Sequence, residues 1–204
     1  MMKTIKLLIL ILSTGLLATS CDWHRTSNVI GSGEVESMEV TVPEFTGVSV
    51  IGECNVDILT GETQRLELSA QAEILDVMTY EVHNKILQIG FKKGYNVNST
   101  REISADIIIP EVSYLAVTGA GDFHLEGAKQ EYLHIYITGA GNVSAFDMEV
   151  DDCLIQITGT GNCMVNVNKS LDVQVSGVGN VFYKGSPTIS SDISGVGNVT
   201  AVPD

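Results

Sequence analysis

The second half of the chain repeats one short motif five times at a nearly constant spacing. The motif has the form Thr/Ser-Gly-x-Gly-Asn/Asp, and its copies begin at Thr118, Thr138, Thr158, Ser176 and Ser194, in steps of 20, 20, 18 and 18 residues. A constant step in this range is typical of stacked repeats, in which each unit buries its apolar side against the next. This feature constrains the fold more than any other part of the sequence.

The residues that flank each glycine pair alternate between apolar and polar. Apolar side chains stand one and three places before the hydroxyl residue, as at Ile135 and Ile137, and one and three places after the Asn or Asp, as at Val143 and Ala145. Alternation with a period of two predicts strands that have one buried face. A helix fits poorly, because glycine disfavours it and the flanks are rich in β-branched residues.

A unit of 18–20 residues can hold two or three short strands and the corners between them, at roughly 3.3 Å per strand residue. The sequence therefore predicts an all-β fold, a parallel β-solenoid built from coils of this length. We interpret the repeated glycines and asparagines as structural corners, with positive φ at the glycines and a side-chain ladder along the asparagines. These residues are Gly119, Gly121, Gly139, Gly141, Gly159, Gly161, Gly177, Gly179, Gly195, Gly197, Asn142, Asn162, Asn180 and Asn198.

This series of corners resembles the head GIN domain family, whose members are described as autotransporter-adhesin heads and are common among Bacteroidetes lipoproteins. Upstream segments that begin at Asn28, Phe45 and Asn55 fit the same pattern, so the similarity covers approximately residues 28–202. The resemblance implies a right-handed β-helix-like fold, and it brings no catalytic residues. One departure is Cys54, which stands where a corner would have its second glycine.

The N-terminus has the pattern of an export signal. Lys3 and Lys6 precede an apolar segment from Leu7 to Leu17, and small residues come directly before Cys21, as at the cleavage site of bacterial lipoproteins. The apolar segment is shorter than the roughly 20 residues that a membrane-spanning helix needs. We predict that Cys21 is lipidated; a plain secreted protein cleaved near Ser20 is the alternative.

The predicted organisation has three parts: a lipoprotein signal peptide over residues 1–20, a lipidated tether over residues 21–27, and a single solenoid domain over residues 28–204 with less regular N-terminal coils. A lipid on the tether would anchor the protein to a membrane without spanning it. We expect a location in the cell envelope, at the outer membrane of a Gram-negative bacterium. The sequence leaves open whether the domain faces the surface or the periplasm.

The net charge argues against nucleic acid as a partner. The chain has 25 acidic and 11 basic residues, a formal charge of −14, and loss of Lys3 and Lys6 with the signal would bring it to −16. Nucleic-acid binding requires a basic surface, which this composition does not provide. Anionic lipid would repel the domain, so we expect membrane contact through the N-terminal lipid.

The sequence contains no cofactor, metal or catalytic signature. The glycine pairs lack the third glycine of a dinucleotide fingerprint and the lysine of a phosphate loop, and the cysteines lack the spacing of zinc ligands. Cys153 and Cys163 fall at core positions. A disulfide between them would require the two walls of one coil to approach closely, and the sequence leaves this pairing open.

Outward positions of successive coils should form rows along the stack. We predict a candidate ligand surface of aromatic rings beside amides, a combination that suits a glycan or a protein. Its residues are Tyr114, Tyr136, His134, Gln156 and Gln174. A second outward row, which is a candidate interface, consists of His124, Ser144, Met164, Phe182 and Thr200.

The sequence favours a non-catalytic envelope lipoprotein that serves as an adhesin or binding module. The alternative is a structural or assembly component of the envelope, which joins another copy or a partner through the open edge of its last coil and so forms a homo-oligomer. A third reading is a polysaccharide-active β-helix enzyme with outward carboxylates such as Asp172 and Asp192. The chain has few basic residues to hold a polyanionic substrate.

Overall fold

The computed structural model describes residues 26–203 and confirms an all-β chain, with strands gathered in a curled, open sheet. The export signal, Cys21 and most of the tether lie outside the described residues. In chain order the elements are β1 (Ser27–Ile30), β2 (Val35–Val40), β3 (Gly47–Ile51), β4 (Asn55–Thr60), β5 (Arg65–Gln71), α1 (Ala72–Leu75), β6 (Met78–His83), β7 (Ile86–Phe91), β8 (Tyr95–Asn98), β9 (Ser104–Ile109), β10 (Tyr114–Val117), β11 (Phe123–Ile137), β12 (Val143–Ile157), β13 (Cys163–Val175), β14 (Val181–Lys184), β15 (Thr188–Ile193) and β16 (Val199–Ala201). No helix within residues 26–203 has the length and apolar character to cross a membrane.

The repeats pair in parallel, and their register follows the spacing of the motif. Leu115 lies beside Ile135, and the row continues through Ile155 and Val173. Equivalent residues of successive coils therefore occupy equivalent places in the sheet. The step of 20 residues falls to 18 within the pairing of β12 and β13, where Val143 opposes Cys163 but Cys153 opposes Leu171.

We call each copy of the repeat a coil; it contributes two segments to the curled sheet, and both bury side chains in one core. Strands β11, β12 and β13 are long because each runs from one glycine corner to the next, and the β11–β12 and β12–β13 pairings shift in register along the way. We call the segments that follow a glycine corner, such as Phe123–Leu125, the post-corner wall. Those that precede it, such as Leu133–Ile137, form the pre-corner wall. At the glycine corners themselves, isolated parallel bridges link Ala120 to Ala140 and continue to Val196.

The corner glycines are required by the close approach of one backbone to the next. The described glycines with positive φ are Gly33, Gly52, Gly94, Gly127 and Gly185. None of these is one of the ten glycines in the five motifs, so the prediction of positive φ at the corners was wrong. A Cβ on Gly159 would lie 2.5 Å from the carbonyl oxygen of Thr138 and still nearer that of Gly139. The corners therefore require glycine because stacked backbones approach closely there, and not because of a positive φ.

The predicted ladder of asparagines is present beside the glycine corners. Asn142 donates from its backbone N and from Nδ2 to Oδ1 of Asp122, at 2.7 and 2.9 Å. Asn162 donates to Asn142 in the same way, and Asn180 to Asn162, with all four bonds at 3.1 Å. At the next corner, the carbonyl oxygen of Asn198 accepts a hydrogen bond from the backbone N of Val181 at 2.8 Å. The Asn side chains thus tie neighbouring coils together outside the backbone ladder.

The N-terminal third extends both walls but departs from simple parallel stacking. Strands β3 and β4 pair in parallel with β10 and β11, and β7 and β9 add to them in parallel. Strands β2, β5 and β6 pair antiparallel with their neighbours. This region is therefore a mixed sheet, where the sequence predicted irregular coils of the same repeat. Its degenerate corner is in place, since Glu53 bridges Ala120.

The sequence also predicts a tight turn at residues 83–85 and a polar loop over residues 92–101, and these two predictions had different outcomes. Asn84 and Lys85 have φ values of 52° and 63° and form the predicted tight turn between the antiparallel strands β6 and β7. Residues 92–101, predicted to be a loop, contain β8, which pairs in parallel with β1. The loop prediction failed because β8 is largely exposed and so lacks the apolar alternation that reveals a half-buried strand.

The core runs continuously between the walls and contains the remaining cysteines. Cys54, Cys153 and Cys163 are buried and free, so the Cys153–Cys163 disulfide that the sequence left open is not formed. Burial raises the pKa of the Cys153 thiol to about 12, which keeps it protonated. Burial lessens towards the last coil, where Ile189 is 40% and Val196 is 69% exposed.

Candidate functional site

All five residues of the candidate ligand surface lie on the outer side of the pre-corner wall. Tyr114 of β10 is in register with His134 of β11. Tyr136 is in register with Gln156 of β12, which is in register with Gln174 of β13. These side chains point outward because each lies between two buried residues of an alternating strand. The structure therefore brings together every residue that the sequence assigned to this surface.

The aromatic rings form a cluster at one end of this surface. The rings of Tyr114 and Tyr136 lie with centroids 5.3 Å apart and planes tilted by 34°, and His134 lies 5.7 Å from the ring of Tyr132. These separations are within the range of favourable aromatic pairs. Sequence reasoning missed Tyr132, although it precedes His134 by two residues and shares its outward face.

The space around Tyr114 depends on a glycine in the next strand. Gly47 of β3 pairs with Tyr114, and a Cβ at Gly47 would lie 3.0 Å from the Cβ of Tyr114. Burial, together with the neighbouring Tyr136, raises the pKa of the Tyr114 hydroxyl. Tyr114 therefore remains a neutral phenol at physiological pH, and its hydroxyl can both donate and accept a hydrogen bond.

The amide part of the surface has unused hydrogen-bonding capacity. Gln156 donates from Nε2 to Oε1 of Gln174 at 3.0 Å. This bond uses one polar atom of each amide, and the Gln156 oxygen and the Gln174 nitrogen form no side-chain hydrogen bond within residues 26–203. Gln156 is half-buried and Gln174 exposed. Fixed amides beside aromatic rings can recognise hydroxyl groups with little loss of side-chain entropy.

The row through Tyr136 continues beyond the repeats. Ala116 of β10 pairs with Ser49 of β3, and Ser49 pairs with Gln88 of β7. The sequence did not reveal that Ser49 and Gln88 continue this row, because β3 and β7 are distant in the chain and belong to no repeat. Ser49 is buried and Gln88 half-buried, and which strands become neighbours is decided by the tertiary fold.

The outer side of the post-corner wall carries an acidic groove that the sequence analysis missed. Glu67, Asp106, Asp57 and His124 lie side by side on β5, β9, β4 and β11, and they line a groove of 490 Å³. Burial and the carboxylates of Asp57 and Glu67 raise the pKa of Asp106. Each of the three acidic residues stands between two apolar residues, which was the available signal for an outward carboxylate.

The second predicted row and the catalytic candidates also have defined places. The row from His124 through Met164 and Phe182 to Thr200 is in register, on the post-corner wall. Asp172 and Asp192 lie on the neighbouring strands β13 and β15, but in different outward rows, since Asp172 pairs with Ser190. They do not face each other as a pair of carboxylates for acid and base catalysis would.

Two solved structures, from Bacteroides and Parabacteroides, are similar to this chain. A protein of Bacteroides fragilis described as "a putative adhesin" superposes with a TM-score of 0.54 at 19% identity, over 85% of this chain and 100% of that chain. A "putative lipid binding protein" of Parabacteroides distasonis gives 0.49 at 18% identity, over 86% and 100%. At such identity the likeness concerns the fold alone. No curated protein matches the chain.

The sequence profile described as "Putative auto-transporter adhesin, head GIN domain" matches residues 44–145 and 117–187. The two matches overlap, and together they contain the first four glycine corners and both walls around them. They cover well over half of the chain, on residues that form the pre-corner face and the acidic groove. The protein is therefore a member of the head GIN domain family.

Proposed function

We propose that the protein is a non-catalytic binding module of the cell envelope, held at the outer membrane by a lipid on Cys21. In this proposal the ligand binds to the pre-corner surface around Tyr114 and Tyr136. The observation that carries the proposal is the contact between these two rings, 5.3 Å apart, on a sheet that also fixes the amides of Gln156 and Gln174. Membership of a family described as an adhesin head supports binding over catalysis.

A neutral glycan fits this surface best. Sugar rings present C–H groups that pack on aromatic faces, and hydroxyl groups that pair with amides and phenols. The nearby carboxylates of Asp172 and Asp192 would repel an anionic polysaccharide, since opposite charges favour association and like charges oppose it. If the protein were instead an enzyme that cleaves polysaccharides, it would release reducing ends from its substrate. We expect no such release.

The right-handed solenoid belongs to the same proposal. Parallel pairing of β10, β11, β12 and β13 in steps of 20 and 18 residues supports coils that wind in one direction. Connections between parallel strands are right-handed in nearly all proteins, because of the twist of the strands. An experimental structure would test the handedness directly.

A glycan array tests the ligand class. Tyr136→Ala and Tyr114→Ala should each lose binding, because each removes half of the aromatic pair, while Tyr95→Ala is the matched control. Tyr95 is an exposed tyrosine, 42% accessible, on the separate two-stranded pairing of β1 and β8. Glycan binding that survives the first two substitutions would refute the assigned surface. Binding of a protein partner, lost in the same variants, would correct the ligand class.

Exposure on cells tests the location. Protease and antibody should reach the protein on intact cells, and this exposure should disappear in Cys21→Ala. Protection on intact cells, with access only after the envelope is disrupted, would place the domain in the periplasm. The adhesin proposal would then fail, and a role in envelope assembly would replace it.

The second candidate function is assembly through the last coil. Among residues 26–203, β15 pairs only with β13 and β16 only with β14, so both have an open backbone edge. Open edges favour pairing with another chain, and Val196 beside them is 69% exposed. Light scattering should then show a concentration-dependent oligomer that added charge at Thr200 disrupts. A monomer at all concentrations would refute this candidate.

A further inference from the structure

Three side chains of the types that can ligate a metal converge where the pairing of β11 and β12 shifts in register. His124 and Glu126 lie two residues apart on β11, and Asp147 of β12 pairs with Glu126. One ring nitrogen of His124 and one carboxylate oxygen from each acidic residue all lie within 4.8 Å of one another. The donors thus come from two neighbouring coils and from two chemical types.

A register shift in the sheet creates this cluster. Phe123 and His124 pair with residues 20 places further on, but Glu126 pairs with Asp147, 21 places further on, because the ladder shifts between His124 and Glu126. Without the shift, Glu126 would face Phe146. Bulges of this kind often redirect side chains at functional sites.

We propose that His124, Glu126 and Asp147 bind a divalent first-row transition metal ion, for which Zn²⁺ is the best fit. Imidazole nitrogen together with carboxylate oxygen suits zinc, whereas calcium and magnesium prefer oxygen ligands alone. Three protein ligands leave a coordination position for water or for an outside group. The His124 and Glu126 side chains are 42% and 55% exposed, so they can rotate to the ligand distances of about 2.0–2.2 Å that zinc requires.

The surrounding charge favours a cation at this position. Asp57 lies directly beside His124, and Asp106 and Glu67 follow in the acidic groove. Within residues 26–203, no lysine or arginine forms an ion pair with any of the three donors. Nearby Lys129 is bound to Asp151 at 2.5 Å. Glu67 is paired with Arg65, but Asp57 and Asp106 form no ion pair within residues 26–203, and unpaired carboxylates concentrate dications by their field.

The chain also contains a natural control for this site. His83 and Glu81 form a second His–Glu pair two residues apart on β6, with Nε2 and Oε2 3.1 Å apart, close to the 2.8 Å of His124 and Glu126. Both pairs are exposed on strands. In the described part of the chain, only the His124 pair has a third donor within reach. Binding at His124 but not at His83 would therefore depend on Asp147.

The test is a zinc titration of the full-length protein in detergent after removal of bound metal with a chelator. We expect one saturable Zn²⁺ per chain by calorimetry, and Mg²⁺ should not compete. His124→Ala and Asp147→Asn should each weaken binding by at least about tenfold, as loss of groups at metal sites commonly does. His83→Ala should bind as the unmodified protein does.

Three results would overturn the proposal. The first is the absence of saturable Zn²⁺ binding. The second is an affinity for Zn²⁺ that is unchanged in the double variant H124A/D147N. The third is an equal loss in His83→Ala, which would mean that any exposed His–Glu pair binds zinc. Far-UV circular dichroism of each variant separates loss of a ligand from loss of fold. Asp147→Asn changes an exposed side chain with little change in volume, so it should remain folded.

Discussion

Replacing Gly159 by alanine tests the physical reason for the glycine corners. A Cβ at this position would lie 2.5 Å from the carbonyl oxygen of Thr138 and nearer still to that of Gly139. Both oxygens belong to the backbone of the preceding coil, so no side chain can rotate away. The two coils would have to separate at the corner to remove the overlap.

The cost follows from the bonds that join these two corners. Thr158 N and Gly159 N both donate to the Ile137 carbonyl, at 2.8 and 3.1 Å, and Thr160 N donates to the Gly139 carbonyl at 2.9 Å. A typical intramolecular hydrogen bond contributes about 0.5–1.5 kcal/mol net. Loss of all three therefore lowers the free energy of unfolding by about 2–4 kcal/mol.

The assay is urea unfolding followed by far-UV circular dichroism, with Gly94→Ala as the control. Gly94 has φ of +83° and no atom within 4 Å of an added Cβ, so its substitution introduces only backbone strain, about 1–2 kcal/mol. Gly159→Asn separates the two causes, because Asn tolerates positive φ but has a Cβ. If Gly159→Asn unfolds like the unmodified protein, the argument from coil spacing is wrong.

Three further predictions concern the ladder, a cysteine and an ion pair. Asn142→Ala should lower the free energy of unfolding by about 2–3 kcal/mol, since it removes the three bonds that the Asn142 side chain makes with Asp122 and Asn162; unchanged urea midpoints would contradict this. Burial raises the pKa of the Cys153 thiol to about 12, so Cys153 should resist alkylation by iodoacetamide at pH 8 in the folded protein and react in urea. Mass spectrometry distinguishes the alkylated from the free thiol. Ion pairs with Lys129 and Lys169 lower the pKa of the Asp151 carboxyl. These pairs therefore stabilise the fold at any pH above the usual pKa of an aspartate, about 4. The stabilisation is lost as the pH falls through the lowered pKa of Asp151 in the folded protein. Asp151→Asn should therefore lower the melting temperature at pH 7 and approach the unmodified protein in acid; a gap that is constant with pH would contradict the assignment.

The candidate ligand surface could be predicted in the repeats, although not beyond them. Tyr136, Gln156 and Gln174 were predicted to align, because a constant period assigns the same place in every coil to equivalent residues. Ser49 and Gln88 extend the same row, but no period relates their strands to the repeats. Their position depends on which strand pairs with β10, and long-range packing decides that.

The acidic groove shows the same limit more clearly. Outward carboxylates at Asp57, Glu67 and Asp106 could be predicted from alternation alone. Their contact could not, because it requires β5 to reverse direction and pair antiparallel with β9. The His124 cluster depends on a one-residue shift in register, which the regular spacing of the motif conceals.

The sequence by itself determined the strands of the repeats, their parallel register, their buried positions and the asparagine ladder. It could do so because in a repeat the neighbour of each residue is specified by the period, so local pattern carries long-range information. Only the tertiary structure decided the pairing of the N-terminal strands, the acidic groove and the convergence of His124 with Asp147. It also corrected the reason for the glycines, since the distance between stacked backbones is a property of two coils and is not contained in the φ preference of one residue.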